Sequence, residues 1–150
     1  EGTNSVQAAD LVFRKLSNKN GNIINKFLEM IKLECDSKNE KVKTYSKQLN
    51  YYLDILSKFT NWITDKSKTE KDDVSAAAND YLKTLGFVSL AYTWVKVLEV
   101  SFKDYESNKE FYDDKINTAK FYFEKVLPRA EYHYKSAISG SSNIMNFKFN

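Results

Sequence analysis

The residues of this chain whose types and order could do chemistry stand at its very start. Glu1 is followed by Gly2, and a glycine lets the backbone take unusual dihedrals and lets another group approach closely. Thr3, Asn4 and Ser5 then offer side-chain donors and acceptors where a helix is expected to begin, and the dipole of a helix start favours an anion. A carboxylate on such a loop acts as a general base when an apolar pocket raises its pKa. Without that pocket it is simply a solvated side chain, and the residues alone leave both readings open.

The rest of the chain holds little that could react. His133 is the single histidine. A carboxylate-bridged di-iron bundle needs two Glu-x-x-His pairs, but the residue three before His133 is Ala130. Between Tyr132 and Tyr134, His133 is expected half-exposed on a helix. Cys35 is the single cysteine, so no intrachain disulfide forms and no CxxC pair exists for zinc or redox work. Neither GxGxxG nor GxxxxGK[ST] occurs, so no phosphate loop is expected. No metal site is expected either. The 23 basic and 20 acidic residues leave a net charge of +3, too balanced to point at nucleic acid. No run reaches the ~18 apolar residues of a membrane span.

The elements that must position these residues are helices. The 150 residues suit one domain of ordinary size, and 42% are hydrophobic. Four Gly and one Pro are too few for the many turns of a sandwich or barrel. Asn4 and Gln7 form a capping-box pattern ahead of a short helix ending near Leu16. That helix is apolar on more than one side and is expected to seek a partner surface outside the rest. Residues 17–22 read as a linker and mark the one good boundary, between 1–21 and 22–150. A second helix is expected from about Ile23 to Cys35. Ser37 with Glu40 should start a third, carried by Val42, Leu49, Leu53, Leu56 and Ile63 and ending between Asp65 and Lys71. A fourth starts near Asp72, with Gly86 inside it for close helix contact. Ser107 with Glu110 should start a fifth, which Pro128 kinks or breaks. Gly140 caps its end. The alternating tail 145–149 docks in a groove, pairs as a short strand, or frays. Together these predict an all-α fold, an antiparallel up-and-down four-helix bundle preceded by a short N-terminal helix.

Glu1-Gly2-Thr3-Asn4-Ser5-Val6-Gln7, followed by Asp10-Leu11-Val12 and Arg14-Lys15-Leu16, resembles the active-site glutamate segment of acyl-CoA dehydrogenases. Ala78-x-x-Tyr81-Leu82-x-x-Leu85-Gly86, Trp94, Lys115 to Phe123 and Val126-Leu127-Pro128 are similar to the additional C-terminal helical domain of that family's long subgroup. The EGTN start is the specific part, and the remainder is a family-level helical pattern.

The resemblance implies the C-terminal piece of a longer FAD-dependent enzyme that oxidises the α,β bond of an acyl-CoA thioester. Glu1 would be the α-proton base, Gly2 would lie beside the acyl-CoA, and Thr3, Asn4 and Ser5 would approach the FAD. Residues 1–21 would end the catalytic helical domain, and 22–150 would be the added bundle, serving stability or subunit contacts. An electron-transfer flavoprotein as acceptor, a homo-oligomer and a cytoplasmic location are further implications. In this chain Glu1 carries a terminal amine in place of the peptide amide that the family uses, and the flavin-holding domains are not part of it. FAD is therefore not expected on the fragment, which should be inactive. The alternatives are a stand-alone, non-catalytic helical interaction module and a lipid- or acyl-binding bundle.

Overall fold

A computed structural model describes residues 3–16 and 22–148. The elements in order are α1 (Asn4–Asp10), running on as a wider π turn (Leu11–Leu16), α2 (Asn22–Glu34), α3 (Glu40–Lys66), α4 (Lys71–Lys103), a 3-10 turn (Tyr105–Ser107), α5 (Lys109–Phe121), a second π turn (Tyr122–Val126), α6 (Arg129–Ala137) and α7 (Ser142–Met145). No strand occurs among the described residues, so the all-α expectation holds.

The long helices alternate in direction, as an up-and-down bundle requires. Lys66 of α3 bonds Asp73 at the start of α4 at 3.2 Å, while Ser37, ahead of α3, bonds Glu99 near the far end of α4. Tyr122 lies against Trp94, His133 reaches Asp80 and Ser141 reaches Asp73, so α5 and α6 together descend along α4 as the fourth member. Pro128 separates those two helices. It has no N–H to donate, and the chain before it widens so that Leu127 N–H bonds the Tyr122 carbonyl at 2.9 Å.

α4 is the hub and packs against α1, α3, α5 and α6. The three-four spacing of α3 and α4 buries Leu49, Leu53, Leu56, Phe59 and Ile63 against Val74, Tyr81, Val88, Val95 and Leu98. At the centre Phe59 meets Tyr81 edge-on at 5.1 Å and Tyr134 at 5.4 Å. Such ring pairs contribute about 0.5–1.5 kcal/mol beyond the area they bury. The Tyr81 hydroxyl is paired with Thr60 Oγ1 at 2.8 Å, so the polar tip is satisfied inside the core.

Several local expectations change. The first capping box does not form: Thr3 precedes α1, Asn4 is already helical, and no side chain caps it. The start of α3 is capped by Asn39, which accepts from Lys41 N–H at 3.0 Å, while Ser37 Oγ donates to Glu99 and accepts from Asn39 N–H. Asn108, not Ser107, caps α5 by accepting from Phe111 N–H. The bundle itself covers one face of α1 and its π turn: Ala8, Val12 and Leu16 are buried in the common core, while Val6 remains 66% exposed. Gly86 has no close contact; a Cβ placed there would meet nothing within 4 Å. Of the tail, Met145 ends the short helix α7 and residues 146–148 follow it without forming a strand, with Ile144, Met145 and Phe147 exposed. Ile138 is the C-cap of α6, and Gly140 stands two residues beyond it in the left-handed region, with φ +78° and its N–H on the Ala137 carbonyl at 3.2 Å.

Candidate functional site

Glu1 and Gly2 lie outside the described residues. Thr3, Asn4 and Ser5 are exposed at the start of α1. The Thr3 carbonyl accepts from Gln7 N–H at 3.1 Å, and the Thr3 side chain makes no capping bond. Ser5 Oγ accepts from the Asn79 side-chain amide of α4 at 3.3 Å. That bond, with the burial of Ala8 one turn on, ties the three residues to the first half of α4.

No group of three or more His, Cys, Asp or Glu able to hold a metal occurs among the described residues. One pairing the sequence did not reveal is His133 Nδ1 to Asp80 Oδ1 at 2.7 Å. The ring is stacked on Phe87 at 5.9 Å, with 17° between the planes. The His133 side chain is 13% exposed, more buried than half. The partners stand 53 positions apart in the chain, which left no local signal. The pair joins α6 to α4 as a packing tie.

The other perturbed groups are structural as well. Burial pushes the Cys35 thiol up to about 11, with a smaller lowering by the Lys96 charge and a smaller raising by Glu34. A thiol kept neutral is a poor nucleophile. Burial likewise raises the Tyr81 phenol to about 12, and the Tyr122 phenol to about 12 while its O–H donates to the Phe87 carbonyl. Asp73 moves the other way, to about 2, because the Ser141 hydroxyl and then the Ser141 N–H donate to it, with Lys66 beside it. These bonds fasten the end of α6 to the start of α4. Glu34 is lowered by the Tyr92 O–H first and by Lys96 second.

One apolar groove opens between α4 and α5. It holds about 490 Å³ and is lined by Trp94, Val97, Val100, Phe111 and Tyr112, with Lys96 and Lys115 at its rim. No carboxylate lines it. Acid-base chemistry needs titratable groups that converge, and this groove offers two lysines and no base.

A search of the curated proteins found no match. The chain does match the acetyl-CoA dehydrogenase C-terminal like family over residues 24–148. That match spans α2 to the end of the described chain, and begins after the segment that carries Glu1. Covering well over half of the sequence, it establishes that this chain belongs to the acetyl-CoA dehydrogenase C-terminal like family.

Proposed function

We propose that the chain is the C-terminal part of an FAD-dependent acyl-CoA dehydrogenase, a cytoplasmic homo-oligomer that oxidises the α,β bond of an acyl-CoA thioester. The observation that carries this reading is the family match over 24–148, joined to a Glu-Gly-Thr-Asn segment directly ahead of it. Glu1 is the base for the α proton. A thioester α proton is weakly acidic, and a carboxylate desolvated by an acyl chain is a stronger base than one in water. Gly2 leaves room for the acyl-CoA. FAD, when bound, supplies the acceptor for the β hydride, and an electron-transfer flavoprotein takes the electrons onward.

The described residues fit a flavin neighbour in one respect. Thr3 and Asn4 are exposed, and neither side chain caps the helix. Ser5 is held by Asn79. These three residues form no cradle alone, so the isolated chain binds no FAD and turns over nothing. The bundle serves stability or subunit contacts.

The test is made in the parent enzyme. Glu1→Gln should lower kcat by about 10²–10⁴-fold, the range of general-base catalysis, with flavin content unchanged. A parent polypeptide that purifies without flavin, or a Glu1→Gln enzyme of undiminished activity, refutes the assignment.

A further inference from the structure

Burial on α1 stops one turn short of its start. Ala8, Val12 and Leu16 stand four residues apart on one side and are buried in the core. Ahead of Ala8, Thr3, Asn4, Ser5, Val6 and Gln7 are all exposed. A first helical turn leaves backbone N–H groups without intrahelical partners, and a side-chain cap normally answers one of them. No side chain does so here. A terminal turn with neither a cap nor a buried apolar residue frays unless something else holds it.

Among the described residues, one side-chain hydrogen bond joins this turn to the bundle, from the Asn79 amide of α4 to Ser5 Oγ at 3.3 Å. Ser5 and Ala8 are three residues apart and share a helix face, so the bond and the buried methyl together fix the rotation of α1 on α4. Asn79 is itself exposed. Its neighbour Asp80 serves a different helix, through His133 of α6. Two residues of chain reach at most about 7 Å. Glu1 stands two residues ahead of Thr3 in the sequence, so the placement of the first turn bounds where Glu1 acts. Rate is sensitive to that placement, since a displacement of about 1 Å costs about 10²-fold.

We infer that Asn79 is a positioning residue: by holding Ser5 it fixes the first turn of α1, and through that turn the glutamate that takes the α proton. The catalytic consequence rests on the proposed function; the hold of Asn79 on the turn does not.

The experiment has two arms. In the 150-residue chain, amide hydrogen exchange is read on Asn79→Ala. The Gln7 N–H, which bonds the Thr3 carbonyl at 3.1 Å, should exchange about two- to tenfold faster, the range of one net hydrogen bond. The buried Leu53 and Leu56 of α3 should keep their rates. In the flavin-containing parent, Asn79→Ala should lower kcat about tenfold or more, with KM and flavin content little changed. A base held less firmly is also more hydrated, so the acid limb of the kcat profile should move to lower pH. A mere loss of folded protein would lower activity and leave that limb in place. Asn79→Asp should restore both kcat and the limb, because the Ser5 hydroxyl donates to a carboxylate as readily as it accepts from an amide. Ser5→Ala combined with Asn79→Ala should lose no more than Asn79→Ala alone, since both remove the same bond. An unchanged Gln7 rate overturns the inference. So does a faster Gln7 with kcat and its acid limb unaltered, and so do additive losses in the double variant. The Glu1→Gln enzyme is assayed beside these. Full activity there removes the proposed function and leaves Asn79 only its hold on the turn; an inactive Glu1→Gln enzyme with an unimpaired Asn79→Ala enzyme keeps the proposed function and sinks this inference.

Discussion

Replacing Gly86 by alanine should stabilise the 150-residue chain. The residue is in the middle of α4, is exposed, and lacks the positive φ that would demand glycine. The added methyl meets nothing within 4 Å, so no packing cost opposes it. The gain is the helix-propensity difference of about 0.8–1 kcal/mol, part of it from fewer states in the unfolded chain. For a domain of this size that raises Tm by about 2–4 °C. In urea the midpoint should rise with the slope unchanged, since the surface exposed on unfolding is the same. Gly140→Ala is the internal control. Gly140 has φ +78°, and its added Cβ would sit 3.2 Å from Asp73 Oδ1. The left-handed conformation alone costs about 1–2 kcal/mol. One substitution thus acts with opposite signs at two positions of one chain. A Tm for Gly86→Ala at or below that of the parent sequence would refute the reasoning, because it would reveal a constraint on α4 absent from its contacts.

Three further outcomes are expected. Asp73 is held near 2 against an ordinary 3.8, so the stability it contributes is present above about pH 4 and is lost as pH falls toward 2; the Tm difference between Asp73→Asn and the unaltered chain should be full at neutral pH and vanish near pH 2. Ser46 Oγ is buried with no hydrogen-bond partner among the described residues, so Ser46→Ala should raise the unfolding free energy by about 1 kcal/mol in urea titration, and a fall of that size would point to a hidden partner. Cys35, with its thiol raised from 9.0 to about 11, should react with a thiol reagent at neutral pH about 10²-fold more slowly in the native chain than in the urea-unfolded chain.

The helices were legible because burial on one side leaves a period in the sequence. Val42, Leu49, Leu53, Leu56 and Ile63 sit at three-four spacing, and all are buried. The caps were less legible. Ser37 and Ser107 each lie within two residues of an asparagine that caps as well. Asn39 caps α3, while Ser37 Oγ accepts from Asn39 N–H and donates to Glu99, 62 residues away. A contact of that separation leaves no local pattern, and the same holds for His133 with Asp80. Gly86 was misread for a related reason: whether a mid-helix glycine faces a neighbour or solvent is set by tertiary packing. Of the candidate site, only the order of residue types was legible. Thr3, Asn4 and Ser5 come together with Asn79, and Glu1 and Gly2 stand just beyond the described residues.

The distribution of perturbed groups says what kind of contribution this bundle makes. Asp73 with Ser141 stands at the first turn of α4, whereas Glu34 and Cys35 stand beside Tyr92 and Lys96 far along it. Of these only Lys96 touches the apolar groove, at its rim. Perturbed groups gathered in a cleft would suggest chemistry; dispersed along the seams between helices, they fasten those helices together. What the bundle fastens includes α1. Seven residues and one π turn are too few to stay helical in water by themselves, so α1 keeps its form through Ala8, Val12 and Leu16 on the common core. The position of Thr3 to Ser5 therefore depends on the stability of α4. A carboxylate acting from Glu1 would inherit that dependence, and core substitutions far from any reacting atom would reach it through α1.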